Sequence, residues 1–132
     1  MKQIQTTKEI GDFGESKAVH YLRWHGYTVK ERNWRAGKCE IDVIASTLRD
    51  VVFVEVKTRT YRSQSELDSA PPPRTAVHAE KQRLTRQAAI AYLGKHPTKK
   101  QPRMDVIEIW LLRESDEQKP KVARIHHIKA AY

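Results

Sequence analysis

Two acidic side chains and one lysine occur within apolar segments, where charged groups are unusual. Asp42 lies in the segment CEIDVIAS, and Glu55 and Lys57 lie in VVFVEVKT. Burying a carboxylate or an ammonium costs free energy unless a partner or a metal ion compensates the charge. Mg²⁺ and Mn²⁺ are the natural candidates, because these hard ions prefer carboxylate, carbonyl and water oxygens. The residues therefore predict hydrolysis of a phosphodiester by metal-activated water.

The spacing of these residues predicts that they converge. Side chains alternate across a strand, so Glu55 and Lys57 share one face. If the two segments pair through the short turn around Arg49, Asp42 lies roughly across from residue 55 or 56. Two carboxylates that close repel each other unless a cation lies between them. We expect Asp42 and Glu55 to bind the metal, with the carbonyl of Val56 as a further ligand. The ammonium of Lys57 is expected to stabilise the attacking hydroxide or the charge that develops on the phosphate.

The triplet Glu-x-Lys carries little information by itself. It also occurs at Glu15 to Lys17 and at Glu117 to Lys119. A structural ion pair between Glu55 and Lys57 is an equally good interpretation of the triplet and the preceding Asp. The stronger signal is the context, in which an apolar strand contains Glu-x-Lys and follows another apolar strand that contains an Asp.

A helix is expected before these segments. Thr6 and Glu9 match a capping box, and Gly26 matches a left-handed helix end, so the helix should run from about 7 to 25. Glu15 lies at the margin of the apolar stripe of this helix. A marginal Glu is usually solvated, but this one could approach the metal as an outer or second-metal ligand.

Three strands are expected to form an antiparallel meander. Their predicted ranges, separated by short polar turns, are 27–33, 39–46 and 51–58. Alternation in the second strand places Ile41 with Val43 on one face and Asp42 with Ile44 on the other.

The second half of the chain is expected to complete a mixed sheet. Residues 59–76 combine a polar run with three consecutive prolines, which predicts an exposed, mobile loop. A second helix at 77–93 should stop at Gly94, and strands are expected at 103–112 and 121–128. The whole is one α/β domain over residues 1–132, with a central mixed sheet and a helix on each side.

The charge of the chain favours a polyanionic partner. The sequence has 25 Lys and Arg against 16 Asp and Glu, a formal net charge of +9. Nucleic acid fits better than an anionic membrane, because no basic amphipathic helix with a bulky apolar face is evident. The residues expected to contact the phosphates are Arg59, Arg62, Arg74, Lys81 and Gln82. A solvated, charged surface is the alternative interpretation for any one of them.

Cysteine and hydropathy patterns bear on the compartment. Cys39 is the single cysteine, so no intramolecular disulfide can form, which is typical of cytoplasmic proteins. The first ten residues lack the apolar segment of a signal peptide, and no apolar run approaches the ~20 residues of a membrane span. We expect a cytoplasmic protein without membrane contact.

Four further residues have alternative roles. Trp24 and Trp110 have the spacing of packed residues, so both are expected in the core. Trp34 and Tyr61 lie near loops beside the predicted site and could stack on an unpaired base, although this is the less favoured interpretation. Asp105 lies between apolar neighbours, where a structural pairing with an arginine is the favoured role.

The same residues belong to a pattern that covers nearly the whole chain. Its positions are turn glycines, charged residues and short apolar motifs: Gly11, Gly14-Glu15, Gly26-Tyr27, Asn33 with Arg35, Glu40-Ile41-Asp42, Val52 to Arg59, Lys81-Gln82, Ala91-Tyr92-Leu93, Arg103-Met104-Asp105-Val106 and Ile128 to Tyr132. The pattern resembles the YraN family of small bacterial proteins. That family is assigned to the PD-(D/E)XK, restriction-endonuclease-like fold and is similar to archaeal Holliday-junction resolvases.

The resemblance implies a nuclease core of order αβββαβ. In it, Asp42, Glu55 and Lys57 match the signature and Glu15 matches the acid on the first helix. Two positions depart from the pattern. Cys39 stands where the family usually carries Gly, and Ile41 takes the place of the Pro in the name of the signature.

The function expected from these observations is Mg²⁺-dependent or Mn²⁺-dependent cleavage of DNA by an endonuclease. The resemblance suggests branched or otherwise non-duplex substrates, and it suggests a symmetric homodimer, the assembly in which resolvase-like proteins act. The alternative is a nucleic-acid-binding module that keeps the fold without cleaving. Intact Asp42, Glu55 and Lys57 argue against that alternative, because binding alone does not need converging buried acids.

Overall fold

A five-stranded mixed sheet forms the centre of the protein. The computed structural model describes residues 6–73 and 78–132. Its elements in chain order are α1 (Thr7–Trp24), β1 (Thr28–Ala36), β2 (Cys39–Ser46), β3 (Asp50–Tyr61), α2 (Gln64–Asp68), α3 (Ala79–Lys95), β4 (Gln101–Leu112) and β5 (Lys121–Ile128). The strands are ordered β1-β2-β3-β4-β5, and only the β3–β4 pair is parallel. The predicted α/β class, the mixed sheet and the antiparallel meander are confirmed.

Helix α1 covers one face of the sheet, which we call the α1 face. Thr6 caps the helix, because its hydroxyl accepts a hydrogen bond from the N–H of Glu9 over 3.0 Å. Gly26 has a φ of +84°, as its predicted role at the helix end requires. The apolar stripe of α1, with Ala18 and Leu22 fully buried, packs on alternate residues of β2, β3 and β4. No helix in the described ranges combines the length and the apolarity that a membrane crossing needs.

Helix α3 packs on the opposite face, which we call the α3 face. Its buried Ala88 and Tyr92 lie against Ile44 and Phe53 of the sheet. The predicted end of this helix at Gly94 is wrong, because the helix continues to Lys95. Helical geometry is unfavourable for a residue that precedes a proline. His96, which precedes Pro97, has φ −130° and ψ 70°, values outside the helical region.

The loop predicted at 59–76 is partly structured. Strand β3 continues to Tyr61, and the short helix α2 follows. Ser63 caps α2 by accepting a 3.0 Å hydrogen bond from the N–H of Glu66, and Leu67 is buried. The capping box and one apolar anchor thus outweigh the polar composition of this segment. Arg74 lies outside the described residues.

Candidate active site

Asp42 occupies the point where β2 and β3 stop pairing. The antiparallel ladder between these strands ends with Val43 opposite Val54. One residue further along, the carboxylate of Asp42 accepts a 2.8 Å hydrogen bond from the backbone N–H of Val56. Continued by one pair, this ladder places Asp42 opposite Glu55, with its carboxylate on the N–H of Val56, as its spacing from the turn predicts. The N–H of Val56 donates to this side chain and not to a backbone carbonyl of β2. A gap therefore opens between β2 and β3 beyond the last backbone pair.

The strict alternation predicted for β2 fails at Asp42. Ile41 packs with Ile44 on the α3 face, whereas Val43 packs on the α1 face. The neighbouring strand explains the difference. The pairing of β1 with β2 runs from Arg32 to Trp34 without a pair at Asn33, which has the left-handed φ of +52°. This backbone conformation interrupts the alternation of side chains on both strands.

Glu15 approaches Asp42 from α1. Its side chain is buried and accepts a 2.9 Å hydrogen bond from the amide of Asn33, with Arg32 at 3.5 Å on the same oxygen. Burial raises the pKa of Glu15 even though Arg32 and Asn33 act to lower it. Glu15 and Asp42 line one cavity of about 380 Å³ on the α1 face, together with Val56.

The position of Glu15 depends on the glycine before it. A β-carbon on Gly14 would overlap the hydroxyl of Thr58 and lie 2.9 Å from its methyl carbon. Only a glycine lets α1 approach β3 this closely. This contact places Glu15 beside the gap.

Glu55 approaches Asp42 from the α3 face. The two carboxylates line a second cavity, of about 10 Å³, together with Lys81 and Thr85. Oε2 of Glu55 is buried and has no hydrogen-bond partner within the described part of the chain. Asp42 thus borders cavities on both faces of the sheet.

The electrostatic surroundings of Asp42 favour a cation. Burial raises the pKa of Asp42 to about 6, against the hydrogen bond from the N–H of Val56. The charges of Glu15 and Glu55 act in the same direction as burial, and that of Lys81 acts against it. A positive ion near Asp42 would stabilise the ionised carboxylate.

The donor set suits a hard divalent cation. Mg²⁺ is commonly held by one or two carboxylates and keeps several waters, and Asp42 with the buried oxygen of Glu55 meets this requirement. Within the described ranges, no group of three or more His, Cys, Asp or Glu side chains is arranged to hold a metal. The set therefore does not suit zinc, which needs three or four nitrogen, sulfur or carboxylate ligands. The N–H of Val56 is engaged by Asp42, and ligation by its carbonyl stays a prediction.

The predicted basic residues take different positions. Lys57 stands on β3 two residues beyond Glu55, and the parallel ladder pairs it with Glu108 of β4. Arg59 forms a 3.0 Å ion pair with Glu108, and Arg62 forms a 2.6 Å ion pair with Asp116.

The remaining predicted contacts lie on α3. Lys81 is exposed in the first part of this helix and reaches the cavity of Asp42 and Glu55, and Gln82 follows it, half-buried. The helix therefore brings one basic side chain of the predicted set to the acids.

Three tryptophans have different surroundings. Trp110 is buried, as predicted, and Tyr61 lies against it with ring centroids 5.2 Å apart. Trp34 packs edge-on against Tyr92 at 5.5 Å. The predicted burial of Trp24 is wrong, because its side chain is 76% exposed. Trp24 is two residues beyond the buried Leu22, about 200° around the helix, and so faces away from the sheet.

Two residues at the site were missed as candidates. Asn33 holds Glu15, and the tolerance of Asn for left-handed backbone is a weak signal for such a position. Glu108 is a fully buried acid in the apolar strand RMDVIEIWLL, the same signal that identified Asp42. Asp105 pairs with Arg103 at 2.8 Å, as expected.

Comparison with known proteins identifies relatives that cover almost the whole chain. A UPF0102 protein of Bacteroides thetaiotaomicron is 36% identical over 124 residues, which are 94% of this chain and 92% of the relative. One of Geotalea uraniireducens is 38% identical over 95% of this chain and 90% of its own length. One of Caldanaerobacter subterraneus is 31% identical over the full length of both chains. The profile described as "Uncharacterised protein family UPF0102" matches residues 14–109. The chain therefore belongs to the UPF0102 family, the family that the resemblance to YraN indicated.

Proposed function

We propose that this protein is a metal-dependent nuclease that hydrolyses phosphodiester bonds in DNA. The observation that carries the proposal is that Asp42 and Glu55, from two neighbouring strands, line one cavity, where an oxygen of Glu55 is buried without a partner in the described chain. Leaving such an acceptor unpaired costs about 1–3 kcal/mol or more for a charged group, so the arrangement is understandable if a ligand completes it.

Asp42 and Glu55 would hold Mg²⁺ or Mn²⁺. A divalent cation there supplies Lewis-acid activation of water and of the scissile phosphate. The chain itself contributes orientation, because the N–H of Val56 fixes the carboxylate of Asp42. Glu15, held by Asn33, borders the cavity on the α1 face and can accept a proton or orient a water there.

Lys57 supplies positive charge on the other face of the sheet. It follows Glu55 by two residues on β3, so both side chains point to the α3 face. An ammonium in this position can stabilise the negative charge that develops on phosphate oxygens during the reaction. Lys81 reaches the same cavity from α3.

DNA is the proposed substrate because the chain carries a net charge of +9. Binding to phosphates by such a protein falls steeply with salt concentration. The restriction-endonuclease-like fold and the similarity to junction resolvases that the resemblance implies suggest branched or non-duplex substrates and a homodimer.

A non-catalytic nucleic-acid-binding protein is the second candidate. It is favoured by the absence, within the described ranges, of three or more metal-ligating side chains in one group. In that case, Asp42 and Glu55 would be structural acids, with the basic Lys81 beside them.

The two candidates are separated by calorimetric titration of Mn²⁺ into the wild type, Asp42→Asn and Glu55→Gln. Asp116→Asn, an exposed acid paired with Arg62, is the control. Cleavage of four-way, flapped, single-stranded and duplex DNA is assayed on the same samples. Metal binding and cleavage that are lost in both site variants and kept in the control support the nuclease. DNA binding by all four proteins without metal uptake or cleavage supports the binding module.

A further inference from the structure

A small pocket lies on the α3 face, beyond Lys57 on the same strand. It is lined by Arg59, Tyr61, Trp110 and the three residues Pro71 to Pro73, and its volume is about 100 Å³. We call it the proline–aromatic pocket. Its volume is comparable with that of a cavity of ~150 Å³ that takes a benzene ring. The pocket is therefore suited to one flat ring.

The walls of this pocket are held in place by a buried charge. Glu108 is completely buried, and its Oε1 accepts hydrogen bonds from Nε of Arg59 at 3.0 Å and from the indole N–H of Trp110 at 2.9 Å. The ring of His126 packs edge-on against Trp110, with centroids 4.5 Å apart. Arg59 and Trp110 therefore present fixed surfaces, so a ligand would not have to order them.

The chemistry of the walls is that of a nucleobase site. The proline and tyrosine rings offer flat apolar surfaces on which a base can stack, and the buried Trp110 supports Tyr61 from behind. The guanidinium of Arg59 uses one of its five N–H donors for Glu108, and the side chain is half-exposed. Its remaining donors suit the carbonyl or ring nitrogen acceptors at the edge of a base.

The pocket lies within reach of the candidate active site. Arg59 and Tyr61 share the α3 face with Glu55 and Lys57, because these residues alternate along β3. Arg59 is four positions beyond Glu55, which is about 13 Å along a strand. A strand of B-form DNA spans that distance in about four nucleotides.

We propose that the proline–aromatic pocket binds one unpaired base of the DNA strand, about four nucleotides from the cleaved bond. This inference rests on the proposed function and names its substrate class as DNA with unpaired nucleotides at that distance from the cut. A base inside a duplex is stacked on both sides, so it must first leave the helix at a cost of a few kcal/mol. Single-stranded, flapped or open DNA enters the pocket without that cost.

The test measures binding in EDTA, where cleavage plays no part. Fluorescence anisotropy compares an oligothymidylate, an abasic strand of the same length and a duplex. The proteins are the wild type, Tyr61→Leu, Tyr61→Phe and Arg59→Lys. Trp24→Leu is the control, because it removes an exposed aromatic ring at the C-terminal end of α1, the helix that covers the other face of the sheet. Thermal unfolding checks that each variant is folded.

Stacking on one aromatic side chain contributes a factor of about 5 to 150 in affinity. Tyr61→Leu should therefore weaken binding of the oligothymidylate by about that factor and change binding of the abasic strand by less than about twofold. Tyr61→Phe should retain the preference for bases, and Arg59→Lys should reduce it.

Equal losses for the oligothymidylate and the abasic strand, or unchanged binding in Tyr61→Leu, would overturn the proposal. Failure of the nuclease itself is seen separately, as loss of metal-dependent cleavage while the preference for bases persists. If the protein cleaves DNA but binds the oligothymidylate and the abasic strand equally well, the base-binding pocket is overturned and the proposed nuclease activity is not.

Discussion

The carboxylate of Asp42 and the N–H of Val56 form a 2.8 Å hydrogen bond where β2 and β3 stop pairing. Burial nevertheless raises the pKa of Asp42 to about 6, so ionisation of this group opposes folding at neutral pH. We expect Asp42→Asn, which keeps an acceptor for Val56, to increase the free energy of unfolding of the metal-free protein. The increase at pH 7 should be ~1–3 kcal/mol, measured by urea unfolding in EDTA.

The pH dependence of this gain has a definite sign. Below about pH 3, Asp42 is protonated in both the folded and the unfolded protein, and the substitution changes little. As the pH rises to about 6, the folded wild type holds a proton that the unfolded chain has released, so its stability falls relative to Asp42→Asn. The gain should be complete above pH 7. Asp116→Asn should lose stability instead, because Arg62 lowers the pKa of Asp116. A gain for Asp42→Asn that does not vary with pH would contradict the explanation.

Gly14 and Gly11 lie on the same helix in different surroundings. A side chain at Gly14 meets Thr58, whereas a β-carbon at Gly11 would have no atom within 4 Å beyond its neighbours and the backbone of its own helix. Gly14→Ala should destabilise the protein by ~1–3 kcal/mol through overpacking. Gly11→Ala should stabilise it by up to ~1 kcal/mol through helix propensity.

Thermal and urea unfolding of the two glycine variants give the comparison. Adding Thr58→Ala to Gly14→Ala should restore part of the lost stability, because it removes the hydroxyl and methyl groups that the new side chain meets. Equal effects of Gly14→Ala and Gly11→Ala would show that α1 does not rest tightly on β3.

Asn33 contributes both a backbone conformation and a hydrogen bond. Asn33→Gly keeps the left-handed conformation, and loses the amide that holds Glu15. Asn33→Ala loses both, so it should be less stable than Asn33→Gly by about 1 kcal/mol. If Glu15 serves the reaction, the two variants should show equally reduced cleavage despite this difference in stability. Full cleavage by Asn33→Gly would mean that the bond to Glu15 is only structural.

Asp105 anchors the end of the chain on the α1 face. Burial raises its pKa, but hydrogen bonds from His127, Arg103 and the N–H of Ala130 outweigh this effect, and the pKa is lowered overall. The pairing therefore stabilises the fold at neutral pH and is lost as the pH falls through the lowered pKa. Asp105→Asn should cost about 3–5 kcal/mol at pH 7, because the largely buried Arg103 would lose its fully buried acidic partner and keep only the partly exposed Asp50.

Asp50 provides the matched comparison, because it pairs with the same Arg103 at 2.9 Å but is partly exposed. Asp50→Asn should cost about 1 kcal/mol or less. Equal losses for the two variants in urea unfolding would contradict the importance of burial.

Elements with local signals were predictable from the sequence. The capping box at Thr6 and the glycine at position 26 located α1, because these signals act through neighbouring backbone groups. Helix α2 was missed, although Ser63 and Glu66 carry the same capping signal, because the prolines and polar residues around them indicated a loop. The end of α3 was set by Pro97 and not by Gly94.

The site was predictable only as far as strand alternation holds. Position 42 lies opposite position 55, and its carboxylate reaches the N–H of Val56, because the turn and the ladder are regular up to Val43. The left-handed Asn33 and the side-chain acceptor of Asp42 interrupt that regularity, and they depend on contacts with α1. Such tertiary contacts leave no periodic pattern in the sequence, so the change of face at Ile41 could not be read from it.

The strand pairs of the sheet differ in how far apart the paired residues lie along the chain. Asp42 and Glu55 belong to one hairpin, whereas β4 joins β3 only after the chain has passed through α2 and α3. Closing a short loop loses less entropy than closing a long one, so the hairpin belongs to the part of the fold with low contact order. We expect pulse-labelled hydrogen exchange during refolding to protect the amides that pair β2 with β3 before those that pair β3 with β4. Mutations that delay the pairing of β4 with β3 should therefore slow folding, while Asp42 and Glu55 stay together in the β2–β3 hairpin.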